Sequence, residues 1–264
     1  MISWESVMRM RGRNLEDPIK EVAAMQLLGN YHDHIISAID VLQDSKYLYI
    51  IMPYCAGGDL YSHTINALET RQNGRLDEDE GRFWFRQIAS ALHHFQIKGI
   101  CHRDLCLENI LLHKNKCKII DLGLSLRVPH IDPNNLQLTT DVSSGTARCL
   151  MKKSGQGGNW TYIAPEIVAN HDYFDGFAVD LWSAGVILFI MLVGVTPFHW
   201  AHDSDEHFNL ISSQGRLEEA LSSWQISLSK EACDLLQNML WKYPERRYTL
   251  YEVMNHPWLK KEEQ

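Results

Sequence analysis

Three short strings among the 264 residues stand out for the side chains they bring together. The first is His102-Arg103-Asp104-Leu105-Cys106-Leu107-Glu108-Asn109. It holds a carboxylate that can accept a proton and, five residues on, an amide oxygen. The second, Asp121-Leu122-Gly123, adds another carboxylate, and the third is Ala164-Pro165-Glu166. An amide and a carboxylate oxygen on separate short segments are hard ligands that can converge on a cation such as Mg2+ from two sides. Each string alone is weak, but all three in this order make a specific signal. Other groupings carry less. His199, His202 and His207 fall close together, yet no cysteine or second acidic cluster completes a metal site, and a solvated loop is the better reading. Asn159-Trp160-Thr161 fits the glycosylation pattern as a chance match, since nothing else points to secretion.

These side chains need elements to hold them. Residues 17–28 repeat apolar positions at a helical period, with Pro18 suited to the first turn. Residues 35–41 and 47–52 are short β-branched and aromatic runs separated by Gln43-Asp44-Ser45, which predicts two antiparallel strands. Asp59 can cap a short helix. Residues 77–98 predict a long amphipathic helix with Phe83, Trp84, Ile88, Ala91 and Leu92 on one face, followed by short apolar runs at 110–112 and 118–120 about a turn at Asn115. Residues 125–160 are polar, turn-rich and without usable periodicity, and from Glu166 onward the chain reads as helices separated by loops. Residues 181–198 carry no charge and approach the length of a membrane span. With Asp180 leading in and Pro197 closing it, this stretch reads as a helix buried on all sides.

Composition narrows the class. Hydrophobic residues are 45% and charged ones 22%, as in folded proteins, and the net charge of −8 leaves no chain-wide basic footprint for nucleic acid. The six cysteines show no C-x-x-C pair, so reduced thiols in a cytosolic compartment are expected, with the nucleus also open to the protein. Residues 1–13 alternate apolar positions with Arg9, Arg11 and Arg13 and lack the apolar core of a signal peptide.

The ordered strings closely resemble the H-R-D-L-x-x-x-N, D-F-G and A-P-E motifs of eukaryotic protein kinases, over residues of about 17–258. The resemblance implies an α+β, two-lobed fold: a truncated β-rich small lobe in 1–55 and a complete, mainly helical large lobe in 56–264, with a long activation segment in 121–166. It implies transfer of the γ-phosphoryl of ATP, with Mg2+, to a serine or threonine hydroxyl of a protein substrate. Asp104 would accept the hydroxyl proton with Arg103 beside it, and Asn109 and Asp121 would hold the metal. Met52, Pro53 and Cys55 would lie at the adenine hinge, Asp59 near the ribose or a basic substrate residue, and Leu111 beneath the adenine. Glu21 resembles the glutamate of the small-lobe helix. Asp180 would anchor the catalytic loop, which makes 181–198 a core helix and not a membrane span. Glu166 and Arg247 resemble a buried ion pair, and Asn255-His256-Pro257-Trp258 is similar to the close of kinases of the calcium/calmodulin-dependent type.

The sequence departs from that pattern in three places. Serine/threonine kinases carry lysine where Cys106 stands and threonine where Asn159 stands, although Asn159 can still hydrogen-bond Asp104. The 46-residue segment 121–166 is long for the family and holds Thr139, Thr140, Ser143, Ser144, Thr146 and Ser154. Phosphorylation within 139–146 by an upstream activating kinase would order it. Gly155-Gln156-Gly157-Gly158 reads as turn flexibility and not as a nucleotide loop. Finally, the residues before Glu21 hold neither G-x-G-x-x-G nor the strand lysine. The reading favoured is a fragment of an active kinase; the alternative is a pseudokinase acting as a non-catalytic scaffold or regulatory binding protein.

Overall fold

A computed structural model describes residues 1–10, 18–29, 32–128, 150–153 and 157–261. Strand β1 (Ile2–Ser3) leads into helix α1 (Trp4–Met10), and α2 (Pro18–Leu28) starts at its proline as the sequence predicts. Helix α1 was not predicted from the alternating pattern; its one buried side chain, Val7, gives too little periodicity to signal it. Strands β2 (Asp40–Gln43) and β3 (Tyr47–Ile51) pair antiparallel, and β1 adds to the other edge of β3 in the order β1-β3-β2. The Asp44 carboxylate shapes the hairpin turn by accepting from the backbone N–H groups of Lys46 and Tyr47, both at 2.7 Å. The first strand starts later than predicted. Ile35 and Ile36 are instead held against a hairpin in the other part of the molecule, with Ile36 N–H donating to the Ile119 carbonyl at 2.9 Å.

Helices α3 (Leu60–Thr70) and α4 (Glu78–Ile97) follow, capped by Asp59 and Asp77. Strand β4 (Ile100–Cys101) precedes the hairpin of β5 (Ile110–His113) and β6 (Lys116–Ile119). Strands β7 (Leu126–Arg127) and β8 (Leu150–Lys152) lie in the stretch that has no sequence periodicity. The first pairs with β4. Helix α5 (Pro165–Val168) and strand β9 (Tyr173–Asp175) come next, and β9 pairs with β8, so the region beyond Glu166 is not wholly helical. Two- and three-residue strands are set by tertiary pairing and leave almost no local pattern.

Helix α6 (Gly176–Val193) is buried along its whole length and is the only described helix long and apolar enough to cross a membrane. Its ends differ from prediction. Asp175, not Asp180, caps it by accepting from Phe177 and Ala178 N–H at 3.0 and 3.2 Å, and Gly194 at φ 86° ends it ahead of Pro197. Asp180 therefore sits inside the first turns and faces the core. Helix α4 packs on α6 so closely that a Cβ on Gly81 would lie 2.5 Å from Leu192 Cδ2. Helices α7 (Glu206–Phe208), α8 (Leu217–Ser223), α9 (Lys230–Met239), α10 (Leu250–Asn255) and α11 (Pro257–Lys260) complete the domain.

Candidate active site

The catalytic string lies between β4 and β5, over the N-terminal half of α6. Asp180 is fully buried and accepts from the backbone N–H of His102 at 2.7 Å and of Arg103 at 2.8 Å. Burial pushes its carboxyl up to about 7, against the two N–H donors, which favour the charged form. The second of those donors comes from a residue at φ 69°, a left-handed conformation that a side chain rarely adopts. Asp180 thus holds the loop in a bend it would not take alone. His102 is also buried. Its Nδ1 accepts from Asp104 N–H at 3.2 Å, so its Nε2 carries the proton and donates to the Ile120 carbonyl at 2.9 Å. Burial lowers the His102 pKa and keeps this neutral bridge in place. It ties the residue before Asp121 to the loop that carries Asp104.

Asn109 closes a single 3-10 turn, Leu107–Asn109, and its amide Nδ2 donates to the Asp104 carbonyl at 2.9 Å and to Asp104 Oδ2 at 3.2 Å. Its own carbonyl accepts from Ile120 N–H at 2.9 Å, which brings Asp121 alongside. Asp121 is exposed and adopts φ 62°, with Gly123 N–H donating to its Oδ1 at 3.3 Å. The structure thus gathers Asp104, Asn109 and Asp121. Asn109 turns its N–H groups to Asp104, and its amide oxygen and the Asp121 carboxylate are hard oxygen donors of the kind Mg2+ takes. Among the described residues no group of three or more His, Cys, Asp or Glu side chains is placed to hold a metal ion by itself.

The hinge residues lie apart, beyond β3. Met52 is 43% exposed and Tyr54 86%, while Pro53 and Cys55 are half-buried. Leu111 is joined to this side by a bridge to Asp59, by Gly57 N–H to Leu112 O at 2.9 Å and by Leu112 N–H to Gly58 O at 2.8 Å. The alternation of β5 buries Ile110 and Leu112 and turns Leu111 the other way. Asp59 spends its carboxylate on Ser62, accepting from N–H at 2.7 Å and Oγ at 3.1 Å, as the helix cap predicts. Glu21 stands half-buried in the first turn of α2. The threonines and serines at 139–146, and Ser154, lie outside the described residues.

On the other flank, Asn159 meets Asp104 as expected, but through its backbone. Its N–H donates to Asp104 Oδ1 at 3.2 Å while its Nδ2 donates to Glu108 Oε1 at 3.3 Å. Gly158, at φ 101°, approaches so closely that a Cβ would lie 2.8 Å from Asp104 Oδ1, a tighter requirement than turn flexibility. Cys106 is buried, and burial first and the Asp104 and Glu108 charges second push its thiol well up, so it stays neutral. Sequence reasoning missed Glu108 and the fit of Gly158; the only signals were their places within the motif string and beside Asn159. Farther off, Arg247 forks onto Glu166 at 2.8 and 2.7 Å and fixes the Ala164-Pro165-Glu166 turn.

A protein kinase domain model matches residues 6–259. An abscisic acid-inducible protein kinase of Triticum aestivum is 34% identical over 87% of this chain and 62% of its own length. The serine/threonine-protein kinase SAPK2 of Oryza sativa subsp. indica is 33% identical over 95% of this chain and 67% of its own. The CBL-interacting protein kinase 31 of Oryza sativa subsp. japonica is 31% identical over 94% of this chain and 49% of its own. The chain thus spans between about half and two thirds of the length of these relatives. With the motifs gathered as described and the match running nearly end to end, the chain belongs to the protein kinase family.

Proposed function

We propose that this chain transfers the γ-phosphoryl group of ATP to a serine or threonine hydroxyl of a protein. The carrying observation is the convergence of Asp104, Asn109 and Asp121 on a loop bent into place by buried Asp180. Bound Mg·ATP supplies the phosphoryl group and the cationic charge that offsets it. Asp104 orients the acceptor hydroxyl and takes its proton, while Asn109 and Asp121 hold the metal. The backbone at Pro53 and Cys55 meets the adenine edge, with Leu111 beneath it. Phosphorylation within 139–146 by an upstream kinase is the proposed activating step.

A second reading, a binding protein that does not transfer phosphate, is favoured by the exposure of Met52 and Tyr54 at the hinge. Transfer of radiolabelled phosphate from ATP to a mixed protein acceptor separates the two. On the first reading Asp104→Asn lowers the rate by about 10²–10⁴-fold, and Asp121→Asn raises the Mg2+ concentration that transfer requires. Nucleotide binding without transfer, or transfer indifferent to Asp104→Asn, would overturn it.

A further inference from the structure

Asn159 has each of its polar groups committed. Its backbone N–H donates to Asp104 Oδ1 at 3.2 Å, its side-chain oxygen accepts from Thr161 N–H at 3.2 Å, and its amide Nδ2 donates to Glu108 Oε1 at 3.3 Å. The contact to Thr161 starts the 3-10 turn Trp160–Tyr162, and through it the buried Ala164-Pro165-Glu166 corner. Glu108 lies on the same short loop as Asp104, with its exposed carboxylate on the side of Asn159. Asp104 is consequently gripped from both sides, Oδ2 by Asn109 and Oδ1 by Asn159. Only a glycine at 158 lets the segment pass this close, since a Cβ there would lie 2.8 Å from Asp104 Oδ1.

We infer that Glu108 and Asn159 form a strut that positions Asp104: Glu108 fixes the Asn159 side chain so that the Asn159 backbone N–H stays aimed at one oxygen of the proton-accepting carboxylate. Both are positioning residues and neither touches the reacting atoms. A carboxylate able to rotate about its terminal bond presents either oxygen to the acceptor; with both oxygens held, one orientation persists, and productive geometry no longer depends on chance rotation. The strut also couples the end of the activation segment to the catalytic loop, because Asn159 belongs to one and Glu108 to the other. This inference rests on the reading of Asp104 as proton acceptor.

The test combines amide hydrogen exchange at Asn159 in the full chain with phosphoryl-transfer kinetics. Asp104→Ala removes the acceptor and speeds exchange of that amide. Glu108→Ala, at an exposed position, is expected to speed it by about tenfold, the effect of losing one charge-assisted hydrogen bond. Glu108→Gln keeps an oxygen acceptor and recovers most of the protection. In turnover, Glu108→Ala lowers kcat by a similar factor and leaves the acceptor KM unchanged, and Glu108→Gln restores the larger part of kcat. Exchange at Asn159 unchanged by Glu108→Ala would overturn the strut, as would a Glu108→Gln enzyme as impaired as Glu108→Ala, or an effect confined to KM. A wild-type chain that transfers no phosphate defeats the proposed function instead, and the exchange measurements still decide the strut.

Discussion

The helical part and the N-terminal sheet are built on opposite principles. Helix α6 presents no exposed residue along its length, and its neighbours interlock at glycines where no side chain would fit. In the sheet, β2 has no buried side chain, and in β3 only Leu48 is buried, with Ile51 and Leu42 at 42% and 50% exposure. The loop that carries Asp104, the proposed metal ligands Asn109 and Asp121 and the Ala164-Pro165-Glu166 corner all attach to the first part; of the proposed site only the hinge residues meet the second. On the proposed function, the groups that hold the proton acceptor are therefore mounted on close-packed interior, where displacement is costly. The surface that would face a nucleotide base is left adjustable.

Breaking the Glu166–Arg247 pair should have the largest effect. Its side chains are 3% and 0% exposed, and the guanidinium also donates to the carbonyls of Trp241, Ala178 and Lys242 while lying 4.8 Å from the Trp182 ring centre. Arg247→Ala would strand a buried carboxylate, at a cost of about 3–5 kcal/mol, read from denaturant unfolding. A loss below about 1 kcal/mol would mean that the helical part tolerates charge in its interior and that the contrast is overstated. The contrast itself is tested by a matched pair. Ile187→Ala, at a position with no exposure, should cost about 2–5 kcal/mol, and Leu42→Ala in β2 about 0.5 kcal/mol or less. Equal losses would show the sheet to be as tightly integrated as α6.

The same contrast explains what could be read from the chain. Helices α2 and α4 and the hairpins were legible because their periodicity and caps are local: Pro18, Asp77 and Asp44 each act within three residues. Helix α6 was legible as a buried helix but misplaced by several residues at each end, because an apolar run marks burial and the caps at Asp175 and Gly194 mark the boundaries. Strands β7, β8 and β9 were invisible, since only distant pairing makes them strands. At the site, Asp104, Asn109 and Asp121 were announced by the motif strings. The second hold on Asp104 was not, because it runs through a backbone N–H of Asn159 beside a glycine at φ 101°, and a backbone contact leaves no mark in residue identity.

The smallest effect expected lies at the seam between the two parts, where the link after α2 docks on α4. His32 Nδ1 accepts from His34 N–H at 3.2 Å, so its Nε2 donates to Ser90 Oγ, also at 3.2 Å, and its ring lies 5.0 Å from that of His94. Burial first, then His94 and His34, lower its pKa from 6.5 to about 4, with Lys118 in the same sense and Asp33 opposing. Unfolded, His32 takes up its proton near 6.5; folded, it resists until about 4. Between those values the unfolded chain binds the extra proton, so this contribution to stability is complete above pH 6.5 and erodes as the pH falls toward 4. Because the ring is only half-buried, the erosion is a fraction of what the shift alone would give. It should appear first as faster amide exchange in residues 32–36 while α6 remains protected. A His32→Asn variant should flatten the pH dependence of stability over that interval. If α6 loses protection together with the link, the seam is not a boundary, and the two parts unfold as one cooperative unit.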